Sequence, residues 1–573
     1  FVQVGFSDST MKRNAQDIIE EAEELLRPQC PARFLEPAAL DSKSSISALT
    51  WNVSAVNNNP FEYWLSYDDP KYTNLMIGVE RFLSEPGDDD VEVKFVFTED
   101  MFSDLLNLMS KEERMKEGLR EIQELWSGGS LRLRERRIIS EFIQDKSLGA
   151  KRLISMPDRV TNTINVVTRK ESVYHPPPVC RPSVMNNYEG DLSTMEVWWY
   201  QWKKFMFLDT VTVPAKKVGT SFSVALLRPV EMLEPIMRSK YPAVTEEEER
   251  LSIPLQILCQ AVFDAIIVYI MNKLSPDCSW QIIKSEICDN LYRGKHKRTV
   301  NILADKYSSV DVICLQEAAA IFSDLVLKSA LGSSHQVVLP SKLDAKRNQN
   351  SLILLRRKAF ALESIREVTA EVARCMPQGQ PLADGDLVAV EVKGAHDGRD
   401  YVIMSFHGDT NGLMTLPLID AIVAACKSAF DKHCLIVGID ANVYEQEVAG
   451  KQGFASCIRH LCNLGLTTCW GDSPLAASCR TTCSARTFLQ PQLNKAVPYS
   501  ERISRGSMDP KDLIIFRKEQ LALVNAADMG EARQPNPVKD NTGVIWYREE
   551  TVFPTLDFPS DHGILAACLR HLG

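Results

Sequence analysis

The sequence lacks several features that would assign a class at once. Its 573 residues carry a net charge of -10, which argues against a broadly basic protein that coats nucleic acid. Its 15 cysteines are odd in number and follow no regular spacing, as in a reducing compartment rather than a secreted disulfide scaffold. No repeat of fixed period occurs. We therefore expect an intracellular globular protein of roughly two to four domains, in the cytoplasm or, after removal of a targeting peptide, in an organelle.

The chain also lacks an uninterrupted apolar run of membrane-spanning length. The nearest is "IPLQILCQAVFDAIIVYIMNKL", residues 253–274, which Gln256, Gln260 and Asp264 interrupt. This run predicts a buried core helix, and we expect no transmembrane segment.

Three regions differ in character. Residues 11–27 place apolar side chains on one helical face, and a short strand follows at 47–52. From about residue 68 to 276 helical patterns dominate, with "VEVKFVFT" read as a strand and a proline-rich break at 174–182. After about residue 280, which opens a predicted helix over 280–306, short apolar strands recur between amphipathic helices. That rhythm favours a core of two sheets covered by helices.

Polar side chains stand at the ends of these predicted strands. Any one of them alone is most simply a turn former or a helix cap. As a set they are harder to explain in that way. They are Asn52 after "ALTW", Glu317 after "VDVICLQ", His407 after "YVIMSF", Asp440 and Asn442 in "CLIVGIDAN", Asp512 before "LIIF", and Asp561 and His562 before "GILAAC".

These residue types suit one chemistry. Glu317 and an amide oxygen from Asn52 could bind a hard cation, which prefers oxygen ligands. Two histidines with nearby carboxylates suit acid–base work, because a carboxylate fixes the imidazole tautomer and stabilises its cation. Asp440 could polarise a water molecule. A metal, an oriented histidine and a water-activating carboxylate together favour a phosphoester hydrolase.

The ordered motifs "TWN", "DVICLQE", "SFHGDTNG", "GIDAN", "DLIIF" and "SDHGIL" resemble the endonuclease/exonuclease/phosphatase superfamily, the fold of pancreatic deoxyribonuclease. The resemblance covers residues 47–60 and about 283–573. It implies an α/β fold, a four-layer αββα sandwich of the DNase I type. A large, mainly helical insertion would lie between the first and second motifs. It also implies metal-dependent hydrolysis, usually with Mg2+, with Mn2+ as the alternative.

The resemblance implies roles position by position. Glu317 would be the principal metal ligand, with Asn52 as its neighbour and Asp561 beside the metal. The implied catalytic residues are Asp440, which orients or deprotonates the attacking water; Asn442, which holds phosphate or metal; His562, which contacts the scissile phosphate or acts as base; Asp512, which orients His562; and His407, which steadies the phosphate or protonates the leaving oxygen.

Substrate contacts are predicted from fewer observations than the metal and catalytic residues. Many relatives carry a tyrosine where this chain reads "RNQNSLILLRR". Gln349 and Asn350 stand near that position, so either an amide makes the phosphate contact, with Asn350 as the candidate, or the contact is lost. In the segment 481–505, Arg486 and Gln490 could grip phosphates or polar bases, although an ordinary solvated loop explains the composition equally well.

We divide the chain into a lead-in (1–46), the first core strand (47–67), the insertion (68–279) and the rest of the core (280–573). The predicted activity is Mg2+-dependent hydrolysis of a phosphodiester in nucleic acid or a nucleotide. The alternatives are an inositol-phosphate or lipid phosphoesterase and, in another class, an inactive scaffold. The insertion could then bind a protein partner.

Overall fold

The structure, a computed structural model, describes residues 33–34, 45–55, 59–153, 167–169, 172–174, 179–214, 224–344, 349–486, 489, 498–504, 506–525 and 535–572. The predicted helix at 11–27 lies outside these residues. The strands are β1 Ser45–Asn52, β2 Tyr63–Trp64, β3 Val167–Arg169, β4 Ser172–Tyr174, β5 Val211–Pro214, β6 Val224–Leu227, β7 Val312–Ala318, β8 His335–Val338, β9 Asn350–Arg356, β10 Phe360–Glu367, β11 Leu387–Gly394, β12 Asp400–His407, β13 Cys434–Asp440, β14 Leu466–Thr468, β15 Ala485–Arg486, β16 Asp512–Arg517, β17 Leu521–Leu523, β18 Val538–Asp540 and β19 Ile564–His571.

Helices occupy the insertion and the outer faces of the sheets. They are α1 Pro70–Ser84, α2 Glu99–Met109, α3 Glu113–Lys116, α4 Leu119–Ser127, α5 Lys146–Ala150, α6 Met195–Phe207, α7 Glu246–Arg250, α8 Ser252–Leu274, α9 Ser279–Cys288, α10 Lys295–Lys306, α11 Phe322–Leu327, α12 Ala330–Ser334, α13 Thr369–Ala373, α14 Thr415–Ala429 and α15 Phe454–Asn463.

Two mixed sheets form the centre of the molecule. Sheet A has the order β17-β19-β1-β7-β9-β8, with β18 also paired to β19, and sheet B has the order β10-β11-β12-β13-β16-β14. In sheet A, β1 runs parallel to β7 and antiparallel to β19. In sheet B, β12 runs parallel to β13, and β13 runs antiparallel to β16. The strand near residue 50 therefore pairs with strands from beyond residue 310.

The two sheets pack face to face, and helices cover their outer faces. Alternate residues of β1 show this layering: Ala48 lies in the core between the sheets, whereas Leu49 and Trp51 pack into the core shared with the insertion. Gly438 of β13 marks a close approach of the sheets, because a Cβ atom there would lie 2.4 Å from Cβ of Cys314. Helices α14 and α15 cover the far side of sheet B. The predicted four-layer αββα fold is confirmed.

The insertion packs on sheet A through one continuous apolar core. Its centre is α8, a helix long and apolar enough to cross a membrane by length and composition, but 89% of its most apolar 18-residue window is buried inside the protein. The interrupting Asp264 pairs with Arg181 at 2.5 Å and accepts a hydrogen bond from the indole of Trp202 at 2.9 Å. The predicted buried core helix is thus what the structure contains.

The insertion differs in detail from the sequence prediction. The predicted strand "VEVKFVFT" is instead a 3-10 turn, Val93–Phe95, with Val93 and Phe97 buried and Phe95 67% exposed. Within the described residues its pairing is limited to an isolated antiparallel bridge between Glu92 and Arg137, where the Val93 N–H donates to the Arg136 carbonyl at 2.8 Å. Its buried apolar side chains belong to the core of the insertion. The single helix predicted over 280–306 is interrupted at Asp289–Arg293 and Gly294. A Cβ atom at Gly294 would lie 2.5 Å from the carbonyl oxygen of Asp289. The domain boundaries stay a prediction.

Candidate active site

Three predicted site residues form one row across sheet B. The parallel register of β12 and β13 sets His407 opposite Asp440, and the antiparallel register of β13 and β16 sets Asp440 opposite Asp512. Each strand is a run of buried apolar residues with its polar side chain at the end that faces the cleft. The row therefore follows from the strand pairing alone.

Sheet A supplies Asn52 and Glu317 to the same place. Asn52 ends β1 opposite Gln316 of β7, so the next residue, Glu317, projects at the same end of the sheet. Glu317 has a φ of 55°, a left-handed conformation that is strained for a residue with a Cβ atom. Its carboxylate accepts hydrogen bonds from the Ala55 N–H at 2.8 Å and from the Gln349 amide at 3.2 Å. Strain held by several partners is a common mark of a functional site.

Asp440 lies at the centre of the cluster and is 1% exposed. Its Oδ2 accepts from the Asn52 amide at 2.9 Å, and its Oδ1 accepts from the Asn442 N–H at 2.9 Å. The Nε2 atom of His407 lies 3.6 Å from Oδ2. Burial alone raises the pKa of a carboxyl group, but the charges of His562, His407 and Lys511 outweigh it and hold the pKa of Asp440 below its ordinary value. Asp440 is therefore an ionised acceptor at neutral pH.

His562 is held by Asp512. Its Nδ1 lies 2.9 Å from Oδ2 of Asp512, which also accepts a hydrogen bond from Thr481 at 2.6 Å. Its Nε2 lies 3.8 Å from Oδ2 of Asp440. Burial disfavours the imidazolium, but the two carboxylates outweigh burial and raise the pKa of His562 to about 10. The predicted partnership of Asp512 and His562 is present, and it holds the histidine in its charged form.

The backbone of His562 is fixed by the end of β1. The indole of Trp51 donates to the His562 carbonyl at 2.9 Å, and Ser560 donates to the Asn52 carbonyl at 2.6 Å. The Ser560 hydroxyl in turn accepts from the His562 N–H at 3.0 Å. The strand "SALTWN" thus contacts the two acids Glu317 and Asp440 through the Asn52 side chain and fixes the backbone of His562 through Trp51 and the Asn52 carbonyl.

Two groups of side chains could hold a metal ion. The ligand atoms of Glu317, His407 and Asp440 lie within 4.8 Å of one another, as do those of Asp440, Asp512 and His562. In the second group, Oδ2 of Asp512 and Nδ1 of His562 are engaged with each other, and Asp512 is buried behind the cleft lining. The first group presents two carboxylates to the cleft, and carboxylate oxygens suit Mg2+ and Mn2+. We therefore take the first group as the candidate metal site.

The geometry differs from the sequence prediction at Asn52 and Asp561. The Asn52 oxygen accepts from the Ser54 N–H at 2.8 Å, whereas its amide nitrogen donates to Glu317 at 3.1 Å and to Asp440. A nitrogen that donates cannot ligate a cation, so Asn52 positions the two carboxylates. Asp561 lines the cleft but belongs to neither group of metal-ligand atoms among the described residues.

Of the three predicted substrate-contact residues, Asn350 points away from the cleft, and the side chains of Arg486 and Gln490 are not described. Asn350 is 1% exposed, and its amide binds the backbone of Asp344 at 2.8 Å and of Ala318 at 3.3 Å, so it does not reach the cleft. Its neighbour Gln349 lines the cleft instead. Arg486 lies in β15, which pairs with β2, but its side chain and the whole of Gln490 lie outside the described residues.

The site opens into a cleft of about 820 Å³. Its lining includes the acidic residues Glu317, Asp409, Asp440, Asp509 and Asp561, and also Tyr444, Lys451 and Lys511. The last three residues were not predicted from the sequence. The signals for them were the position of Lys511 directly before Asp512 and of Tyr444 two residues after Asn442.

The residues that lead into the insertion reach the rim of this cleft. Tyr63 of β2 lines the cleft, and β2 pairs with β15 on the segment 481–505. Farther along the same segment, the Tyr499 N–H donates to Glu80 of α1, in the insertion, at 3.2 Å, and the Tyr499 ring lies 5.3 Å from that of Trp64. The insertion is therefore structurally connected to the substrate side of the sandwich.

The two packed sheets, with the polar strand ends at one edge, have the arrangement of the αββα sandwich that the sequence predicted. Solved structures with a similar fold include the human Nocturnin catalytic domain with bound sulfate (14% identity, 49% of this chain, 87% of that chain, TM-score 0.32). They also include D. rerio TDP2 complexed with single-strand DNA product, at 16% identity over 49% of this chain and 92% of that chain, with a TM-score of 0.29. A third is an endonuclease/exonuclease/phosphatase from Bacteroides vulgatus, at 11% identity over 50% of this chain and 94% of that chain, with a TM-score of 0.33.

Sequence comparisons add little about activity. Residues 90–285 match a domain of unknown function (DUF8234), a range that falls largely within the predicted insertion. No curated protein matches the sequence.

Proposed function

We propose that this chain is a divalent-metal-dependent phosphoesterase that hydrolyses a phosphodiester, with a nucleic acid or nucleotide as substrate. The observation that carries the proposal is the convergence of Glu317, His407, Asp440, Asp512 and His562 from two sheets into one open cleft. An ionised carboxylate, a charged imidazole and a potential cation site within a few ångströms suit attack of water on phosphorus.

The residues present fit a divalent cation. Glu317 and Asp440 offer oxygen atoms beside the His407 imidazole, and the Asn52 amide and the Ala55 N–H fix the direction of the Glu317 carboxylate. Such second-layer hydrogen bonds commonly orient metal ligands. A bound Mg2+ or Mn2+ would neutralise the non-bridging oxygens of the scissile phosphate.

The protein's own groups divide the remaining work. Asp440 is ionised and can accept a hydrogen bond from the attacking water, orienting it and taking its proton. His562 carries a positive charge at neutral pH and can bind a phosphate oxygen as negative charge develops there. Asp512 keeps the ring of His562 in place through Nδ1, which leaves Nε2 directed toward Asp440. His407 stands beside both acids and can bind the same phosphate.

Hydrolysis of bis-p-nitrophenyl phosphate by the full chain with MgCl2 tests this proposal. We expect Asp440→Asn and His562→Ala each to lower kcat by about a hundredfold or more, as removal of one such group does in related chemistry. The matched control is His460→Ala, which removes another histidine–carboxylate pair, with Asp420, on helices outside the cleft. Activity retained in both site variants, or absent from the wild type on any phosphoester, would contradict the proposal.

A further inference from the structure

We infer that Lys511, Lys451 and Tyr444 form a second anion-binding subsite, which holds a phosphate next to the scissile one. This inference rests on the proposed function and narrows it: the substrate would carry several phosphates in a chain, as an oligonucleotide does. The three residues lie close to one another and line the same cleft as the acidic cluster.

The two lysines converge on one aromatic ring. The ammonium of Lys451 lies 3.8 Å from the centre of the Tyr444 ring, and that of Lys511 lies 5.2 Å from it. The Tyr444 hydroxyl donates to the Thr410 carbonyl at 2.8 Å, which fixes the ring between the two cations. One lysine over a ring is common on protein surfaces, but two positive charges beside one ring repel each other and invite an anion between or above them.

The position of Lys511 separates this subsite from the reacting groups. Its Nζ donates to Oδ1 of Asn442 at 3.1 Å, and the amide of Asn442 donates to Asp440 at 3.3 Å. Lys511 is therefore two hydrogen bonds away from Asp440. We therefore assign the two lysines to the phosphate next to the one attacked beside Asp440 and His562.

The lysine charges are not already neutralised. Neither ammonium forms an ion pair with a carboxylate anywhere in the described part of the chain. Of the nearby acids, Glu445 pairs with Arg480 at 2.6 Å, whereas Asp509 and Asp409, which also line the cleft, accept hydrogen bonds from the neutral Ser507 hydroxyl at 2.8 Å and Met414 N–H at 2.7 Å. The two lysines therefore present ammonium groups that no ion pair occupies in the described part of the chain.

The cleft offers separate groups to a cation and to a second phosphate. Glu317 and Asp440 suit a cation beside the reacting phosphate, and the two lysines suit a further phosphate of the same chain. Lysine ammonium groups bind phosphate without reading the base, so the recognition is of the backbone. A substrate with a single phosphate would not need the two lysines.

Binding of fluorescein-labelled hexathymidylate, followed by fluorescence anisotropy in MgCl2, tests the subsite. The measurements use the full chain in an Asp440→Asn background, which blocks turnover. We expect Lys451→Met and Lys511→Met each to raise Kd at least threefold. The slope of log Kd against log salt concentration should become shallower by about 0.7 for each lysine removed, the value expected for one contact to a single strand.

Matched variants separate charge from structure. Lys451→Arg and Lys511→Arg keep the charge and should keep most of the affinity, whereas Lys427→Met, an exposed lysine on α14 outside the cleft, should change neither Kd nor slope. Lys451 is exposed, so its variant tests the subsite even if Lys511→Met, at 9% exposure, folds poorly.

Unchanged affinity and slope in the two methionine variants, or no binding by the parent protein, would overturn the subsite. Lysine-dependent binding together with a wild type that fails to cleave any phosphoester would leave the subsite standing and contradict the proposed hydrolysis.

Discussion

The electrostatics of the site predict that His562 is protonated at neutral pH, which a titration can test directly. Its pKa is raised from 6.5 to about 10, against the effect of burial, by Asp512 at 2.9 Å and Asp440 at 3.8 Å. At about 1.4 kcal/mol per pH unit, this corresponds to a preference of roughly 5 kcal/mol for the imidazolium. Because the folded-state pKa exceeds the unfolded one, the stability that this charge contributes is complete below pH 6.5 and is lost as pH rises through about 10.

Asp512→Asn removes one carboxylate charge and keeps the shape of the side chain. An opposite charge at this distance shifts a pKa by about 1–3 units, so we expect the pKa of His562 to fall by that amount in the variant. Asp512 should have the larger effect of the two acids, because it contacts the ring directly, whereas Asp440 lies farther away.

Nuclear magnetic resonance of the metal-free protein, labelled with 13C at its nine histidines, measures this pKa directly. The His562 signal is assigned as the one missing from the His562→Ala spectrum. We expect this signal to stay in its protonated position through pH 8 in the wild type and to titrate at lower pH in Asp512→Asn. Titration of the wild-type ring near 6.5, or an unchanged pKa in the variant, would refute the electrostatic reasoning.

Two further predictions concern stability. Asp264→Asn leaves the buried Arg181 without its carboxylate and should lower the free energy of unfolding by about 3–5 kcal/mol; urea unfolding followed by tryptophan fluorescence measures this, and a loss below about 1 kcal/mol would contradict it. His335 is buried between Ser334 and the Val310 carbonyl, and burial lowers its pKa to about 4. Between pH 6.5 and 4 the unfolded state therefore binds a proton at this histidine that the folded state does not bind. The free energy of unfolding should fall by up to about 3 kcal/mol as the pH is lowered from 6.5 to 4. The same pH series in His335→Gln should be flatter, and an equal slope in both proteins would exclude this histidine as the cause.

The sandwich was predictable because its strands are short apolar runs with a polar residue at one end. The strands that carry Glu317, His407 and Asp440 each show this pattern, and the registers then bring the polar ends together. The insertion was less predictable, since "VEVKFVFT" has the alternation of a strand, but among the described residues its pairing is limited to one isolated bridge between Glu92 and Arg137. A local pattern cannot reveal whether a partner strand exists.

The identity of most site residues was predictable, but the direction of their side chains was not. Asn52 turns its nitrogen rather than its oxygen to the acids because the Ser54 N–H occupies the oxygen. Asn350 turns into the backbone while Gln349 faces the cleft. These orientations depend on contacts with residues brought near by folding, and the pairing of Tyr444 with Lys451 and Lys511 belongs to the same class.

The central claim is that the Glu317 cluster binds a divalent metal on which phosphodiester hydrolysis depends. Its most direct test is the rate at which EDTA-stripped protein, with the chelator removed, hydrolyses bis-p-nitrophenyl phosphate as MgCl2 or MnCl2 is added. We expect no hydrolysis without metal, a saturable rise in rate for the wild type, and for Glu317→Gln a rise that needs far more metal or does not occur. Metal-independent hydrolysis, or a Glu317→Gln curve that overlies the wild type, would contradict the claim.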